Sequence, residues 1–343
     1  MKKLCPFGTH RVIEPIGVLP QAADKIDATP VCYDNEIMID VDVLNIDSAS
    51  FHQIKEACDH DETKMKTMIL SIVKEKGKMQ NPVTKSGGML IGKIKAIGKD
   101  VKHHAKVGDL IATLVSLSLT PLMIKDIISI NLSNEQVKIK GTAILFETGI
   151  FEVIPSDLDQ KLVLAALDVC GAPAQVKKLA KPGDTVFIIG AAGKSGLLCS
   201  YQAKQMVGAK GKVIGLVNEE AQKSLLSELG LCDDVLLLDA KNTLKVYEEV
   251  SKLTKGHLAD VSINVVNVPN TEMTTILATK DEGIVYFFSM ATSFTKAALG
   301  AEGVKKDVTM MIGNGYTKNH AKITLDILRE NKVIHDYFMK RYV

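Results

Sequence analysis

Three glycines, a lysine and a serine stand together in VFIIGAAGKSGLLCS (186–200): Gly190, Gly193, Lys194, Ser195 and Gly196. Residues of these types at this spacing handle phosphate, and two kinds of phosphate chemistry compete for them. Gly-Lys-Ser is the end of a nucleoside triphosphate loop, G-x-x-x-x-G-K-[ST]. That loop needs its first glycine at Ile188, a residue with a Cβ inside an apolar strand, so the wrapping turn fails there. The glycines suit a dinucleotide turn instead. Gly190 ends the strand, where a tight turn needs an unusual φ. Gly193 lets the backbone approach a pyrophosphate at a helix N-terminus, with Ala192 before it in the turn. Gly196 lets the helix pack closely on the strand. The spacing is G-x-x-G-x-x-G, so specificity comes from the setting between an apolar strand and a helix. Lys194 and Ser195 can reach the pyrophosphate, or the lysine can face water. In the next strand, VIGLVNEE, Asn218 stands where an acidic residue would bond the ribose 2′-hydroxyl. Asn bonds ribose hydroxyls without repelling a 2′-phosphate. Glu219 and Glu220 disfavour that phosphate, while Lys223 and Ser224 favour it. NAD is therefore expected, with NADP possible.

The surrounding pattern supplies the elements that must position these groups. From about residue 157, apolar runs alternate with helical spacing: DTVFIIG, LLCSYQAKQMV, KVIGLVN, EEAQKSLLSELG, DDVLLLD, TLKVYEEVSKLT, DVSINVV and GIVYFF. Strands alternating with helices predict an α/β, doubly wound parallel sheet. The first 155 or so residues read as mostly β. EIMIDVDVLNIDSASF alternates apolar and polar positions, as do MLIGKIKAIGKDV and KVGDLIATLVSL. The expected domains are 1–158, a β-rich catalytic domain; 159–309, a dinucleotide-binding domain; and 310–343, a return of the chain to the first domain.

Composition excludes several classes. The chain has 343 residues, 46% of them hydrophobic, and a net charge of +2. Its basic residues form no block, so no nucleic-acid or anionic-membrane partner is expected. Apolar runs fall short of the ~20 residues that a membrane span needs. The start MKKLCPFGTHRV has no apolar stretch behind its lysines and does not read as a signal peptide. The six cysteines make no Cys-x-x-Cys pair, which suggests a reduced, cytoplasmic protein without a disulfide framework.

GGMLIGKIKAIGKDVKHHAKVGDLIA resembles the signature of the medium-chain dehydrogenase/reductase family, with Gly87, Gly92, Gly98, Gly108 and Asp109 on its fixed points. LAKPGDTVFIIGAAGKSG resembles that family's entry to its cofactor domain, and SELGLCDDVLLLD its Leu-Gly-Ala-Asp segment. The resemblance implies a GroES-like catalytic domain and a Rossmann domain. It also implies that FFSMATSF (287–294), with Ser289, ends a strand at the nicotinamide edge, and that a homodimer forms. In the zinc enzymes of this family Cys, His and Cys hold the metal. Here those places carry Asp47, Gly88 and Cys170, and two ligands of mixed hardness do not make a zinc site. No metal is expected. Longer segments, CPFGTHRVIEPIGVLPQAADKID, DVLNIDSASFHQI, LDVCGAPAQVKKLAKPGDTVFIIGAAGKSG and GNGYTKNHA, resemble the zinc-free diamino-acid dehydrogenases of bacterial lysine fermentation. That resemblance implies oxidative deamination of L-erythro-3,5-diaminohexanoate at C3 to 5-amino-3-oxohexanoate, with release of ammonia and reduction of NAD(P).

Such a substrate carries two ammonium groups and one carboxylate. Its C3 amine must lose a proton before hydride leaves, and one well-placed base serves that step and the later addition of water. Asp47, at the family's metal position, could bind an ammonium or act as base; alternatively it caps the turn SASF. His52 could be base or relay, or a packing residue. Arg11, beside His10, is the candidate for the substrate carboxylate, against a surface salt bridge; Thr9 could assist. Asp168 could face the cleft between domains, or merely end a helix. Cys170 reads as core and Glu147 as a weaker ammonium partner. His103 and His104 read as solvated. Two other readings fit the same residues: a zinc-free, NADPH-dependent reductase of quinones or enoyl thioesters, and a nucleotide-binding protein without catalysis.

Overall fold

The computed structural model describes residues 4–103, 105–289, 291–313 and 315–343. The chain divides into two compact units, Met1–Gln160 and Lys161–Val343.

The first unit contains β1 (Val12–Glu14), β2 (Lys25–Ile26), β3 (Glu36–Asn45), α1 (Ser48–Ala57), α2 (Glu62–Lys76), β4 (Met89–Ile97), β5 (Leu110–Thr113), β6 (Leu122–Asn131), β7 (Gln136–Phe146) and β8 (Phe151–Val153). Six strands form one sheet in the order β6-β7-β3-β4-β5-β8, antiparallel throughout. Alternation drives β3: Ile37, Ile39 and Val41 are buried while Asp40 and Asp42 are exposed. The strand ends at Asn45 rather than running on through SASF. Asp47 caps a helix there by accepting from Ser50 N–H, and Phe51 and Ile54, one turn apart, go into the core. In α2, Asp61 accepts from Thr63 and Lys64 N–H, Met65, Ile69, Ile72 and Val73 are buried, and Gly77 stops the helix at φ 71°. The β-rich unit thus holds two helices absent from the sequence-based expectation.

The second unit contains α3 (Gln160–Leu167), α4 (Gly171–Leu179), β9 (Thr185–Ile189), α5 (Lys194–Val207), β10 (Lys212–Val217), α6 (Glu220–Leu229), β11 (Asp234–Leu237), α7 (Thr243–Leu253), β12 (Ala259–Asn264), α8 (Glu272–Ala278), β13 (Thr279–Phe287), α9 (Phe294–Gly303), β14 (Val308–Ile312), α10 (His320–Glu330) and α11 (Lys332–Tyr342). Its parallel sheet runs β11-β10-β9-β12-β13-β14, which is 3-2-1-4-5-6 in the unit's own count. This is the Rossmann order, and the chain reverses its winding between β9 and β12. Phe187, Ile189, Ile214 and Leu216 pack with Val246 and Val250 of α7 on one face. Residues 310–343 group with this unit. The cause is local: β14 completes the sheet by pairing with β13, and α10 buries Ala321, Thr324, Leu325 and Leu328 on the face of α4 and α5. Among the described residues, no helix is long and apolar enough to cross a membrane.

Candidate active site

The glycine turn leaves β9 at the switch point. Gly190 has φ 84°, a conformation that glycine adopts freely. Its N–H donates to Leu216 O at 3.0 Å, and its carbonyl accepts from Gly193 N–H at 3.1 Å. A Cβ on Gly196 would lie 2.1 Å from Gly190 O, so a side chain there would push α5 off the turn. Gly193 caps α5 without a side-chain acceptor. A Cβ on it would meet only Gly190 O, at 3.4 Å. The first N–H groups of α5 have no intrahelical partner and open onto this clear space. Ala192 is 7% exposed and lines the turn, followed by the half-buried Lys194 and Ser195. Asn218 is exposed one residue beyond β10. The residues present fit a dinucleotide: a positive-φ turn, a close helix–strand approach, an uncapped helix N-terminus and an amide past the neighbouring strand.

Ser289 follows β13. Its N–H donates to Asn264 O at 3.3 Å, and its hydroxyl accepts from Ala291 N–H. Asn264 was not singled out in the sequence, yet it ties this side of the switch point together. It is fully buried at the end of β12. Its Nδ2 donates to Thr271 and Thr275 hydroxyls, both at 2.9 Å, and its carbonyl also takes Phe288 N–H. The visible signal was a single amide inside the apolar run SINVV. The neighbouring Met290 lies outside the described residues.

Asp168 sits in the break between α3 and α4, where its carboxylate accepts from Lys194 Nζ at 2.7 Å. The stretch read as one helical run is therefore two helices. Cys170 is buried, and its carbonyl accepts from Thr324 Oγ1.

In the first unit, Asp47 Oδ1 accepts from Ser50 N–H at 3.0 Å, whereas Oδ2 is buried without a partner. Ser50 Oγ is itself pinned against Thr84 Oγ1 at 2.6 Å and Ser86 Oγ at 3.0 Å. Gly88 has φ 97°, and a Cβ on it would lie 2.1 Å from Asn45 O and 2.7 Å from Asp47 N. His52 lies along α1 with its side chain 73% exposed, facing Glu56.

His10 and Arg11 take a different role from the one expected. Arg11 is 1% exposed. Nε and Nη2 donate to Glu36 at 2.6 and 2.7 Å, Nη2 also to Val31 O, and Nη1 to the carbonyls of Asp27 and Thr29. All five guanidinium donors are thereby used, and none remains for a substrate carboxylate. Glu36 also meets His10 Nε2 at 2.8 Å and takes Tyr33 N–H. The pair is a buried tie that anchors the N-terminal segment to β3. Glu147 is exposed. His103 is not simply solvated, since its ring lies against Phe151 with centroids 4.2 Å apart; His104 lies outside the described residues. Among the described residues, no group of three or more His, Cys, Asp or Glu side chains could hold a metal ion.

Comparison with known proteins places this geometry. Residues 10–155 match the family model for the L-erythro-3,5-diaminohexanoate dehydrogenase N-terminal domain. The L-erythro-3,5-diaminohexanoate dehydrogenase of Acetoanaerobium sticklandii is 59% identical, over 99% of this chain and 100% of its own length. The protein of the same name from Fusobacterium nucleatum is 57% identical, over 100% of both chains. Among solved structures, the CurK enoyl reductase superposes with a TM-score of 0.56 at 18% identity, covering 89% of this chain and 82% of its own. That likeness bears on the fold alone. The two full-length matches go further: the chain belongs to the L-erythro-3,5-diaminohexanoate dehydrogenase family and is an oxidoreductase.

Proposed function

We propose that this protein oxidises L-erythro-3,5-diaminohexanoate at C3 to 5-amino-3-oxohexanoate, with release of ammonia, as a step of lysine fermentation. It uses NAD, or NADP, and no zinc. The observation that carries the substrate is the full-length identity of 59% and 57% to two proteins bearing that name. A bound nicotinamide would supply the acceptor for the hydride that leaves C3. The chain supplies the rest. The turn from Gly190 to Gly196 and the first N–H groups of α5 would hold the pyrophosphate, with Lys194 and Ser195 at hand; Asn218 would hold the ribose, and Ser289 would border the nicotinamide. The free Oδ2 of Asp47 accepts an N–H of the C3 amine and takes the proton that must leave before the hydride does. His52, exposed on the same helix, passes that proton to water. Asp168 pairs with the other ammonium. Water then adds to the iminium carbon, the C–N bond breaks, and ammonia leaves with its electron pair. Gly88 supports a zinc-free site, because its backbone leaves no room for the Cβ of a ligating histidine. We also infer a cytoplasmic homodimer with no nucleic-acid or membrane partner.

The test mixes the purified protein with the diamino acid and NAD or NADP, in the presence of a strong chelator, and follows absorbance of the reduced nicotinamide. Rapid reduction establishes the amine oxidation, shows that no exchangeable metal is needed and ranks the two cofactors. A protein that binds cofactor but reduces none overturns the reading; NADPH with quinones or enoyl thioesters is then the next trial.

A further inference from the structure

The phosphate turn carries a cation that the chain already engages. Lys194 is the first residue of α5. Its Nζ lies 2.7 Å from Asp168 Oδ2 and 5.6 Å from the ring centre of Tyr342. Burial, followed by the neighbouring Tyr337, pushes the Tyr342 hydroxyl up to about 12, so the ring stays neutral and presents its face to the ammonium. One ammonium, carried by the first turn of α5, is thus met from the break between α3 and α4 and from the end of α11.

Two anions compete for this ammonium once a dinucleotide is present: the Asp168 carboxylate and the pyrophosphate beside the α5 N-terminus. The lysine is 29% and the aspartate 38% exposed. A pair this wet is worth little, and the flexible four-carbon stem of lysine lets its charge move at small cost. The pyrophosphate carries two negative charges, and the helix N-terminus has already drawn it close.

We propose that Lys194 is a shared cation that couples the cofactor and substrate sites. In the empty protein it neutralises Asp168. It transfers to the pyrophosphate when a dinucleotide is bound, and Asp168 then stands as an unpaired carboxylate for a substrate ammonium. The two ligands therefore strengthen each other's binding, and by the same factor in either order. This inference rests on the dinucleotide and diamino-acid reading above and adds to it a linkage within the second unit. No covalent step is involved; one ion pair is exchanged for another.

A double-mutant cycle on cofactor binding tests it without turnover. NADH is titrated into the full-length protein at low ionic strength, with no substrate, and nicotinamide fluorescence gives the dissociation constant. Wild type, Asp168→Asn, Lys194→Met and the double variant are compared, each checked for an unchanged melting curve. Asp168→Asn frees the lysine, so NADH binds up to about fivefold tighter. Lys194→Met weakens it by about tenfold, and Lys194→Arg retains most of the affinity. In the Lys194→Met background, Asp168→Asn no longer tightens binding. Equal affinity of wild type and Asp168→Asn overturns the coupling, as does tightening that persists without the lysine. If wild type binds neither NADH nor NADPH, the underlying cofactor reading fails instead, and the two failures are distinguishable.

Discussion

At the residue scale, two charged groups singled out in the sequence part company. Arg11 was visible as an arginine near the N-terminus, but its partner stands 25 residues away, in a strand whose alternation hid the significance of Glu36. Nothing local marks a carboxylate that will be buried against a guanidinium. Asp47 was legible because it interrupts an apolar run just before SASF, and its double use, one oxygen capping and one unpartnered, needed coordinates. Both separations can be measured. Burial pushes the Glu36 carboxyl up, but hydrogen bonds from Arg11, Tyr33 N–H and His10 outweigh it and hold the group below its ordinary 4.5. A carboxylate depressed in the folded state stabilises above its unfolded pKa and loses that contribution as pH falls through the folded one. The wild type should therefore lose stability progressively below about pH 4.5. Glu36→Gln leaves a buried guanidinium without its anion, at a cost of about 3–5 kcal/mol near neutrality. Its stability should fall less steeply in acid, as read by denaturant unfolding across pH. Asp47→Asn behaves in the opposite way. Asparagine caps a helix about as well as aspartate, so the melting temperature should hold. Loss of the base that takes the C3 proton should lower kcat/KM by roughly a hundredfold or more. A drop in stability with activity intact would return Asp47 to a capping role alone.

At the element scale, the second unit was readable because each parallel strand is a short apolar run between turn residues and each helix keeps its own spacing. The first unit was less readable. The residues of α1 continue a strand-like alternation, and only the Asp47 cap turns them into a helix. Likewise α3 and α4 share one helical pattern that breaks at residues 168–170, the point that delivers Asp168 to Lys194. The glycine turn allows a contrast between fold and function. Gly196→Ala places a Cβ against the Gly190 carbonyl, a contact at 2.1 Å that backbone must move to relieve. It should destabilise the unit by about 1–3 kcal/mol and weaken dinucleotide binding with it. Gly193→Ala meets no such obstacle, since φ is −72° there and the nearest atom is 3.4 Å away. It should cost the fold about 1 kcal/mol at most, through the poorer cap. It should still weaken NADH binding by about tenfold, because the methyl occupies the approach to the helix N-terminus. Calorimetry on the two variants, with and without NADH, checks the pair: equal losses of stability and of binding in both would remove Gly193 from the phosphate site.

At the scale of the whole molecule, fold and chemistry are separate questions. A reductase at 18% identity shares this architecture, so strand order cannot name a substrate; the idiosyncratic segments around Arg11, Asp47 and Cys170 carried that information. The proposed homodimer is likewise a property of an edge rather than of the fold class. An edge strand presents unpaired N–H and C=O groups, and proteins commonly blunt it with lysine, proline or a bulge. The outer edge of β14 has none of these: its sequence is Val-Thr-Met-Met-Ile, its register with β13 is unbroken, and it stands last in the sheet order. Apolar side chains are also exposed on β14 and α9, with Ile312 of β14 at 64%, and Leu299 and Phe294 of α9 at 63% and 69%. A second copy that adds its own β14 would satisfy the free edge and cover Ile312, joining two sheets of six strands into one. Light scattering on the wild type should then give twice the chain mass of 37.2 kDa. Ile312→Lys buries a charge at that joint and should shift the mass to a single chain while circular dichroism stays unchanged. A wild type that scatters as one chain at micromolar concentration removes the dimer. A variant that stays dimeric moves the interface away from β14.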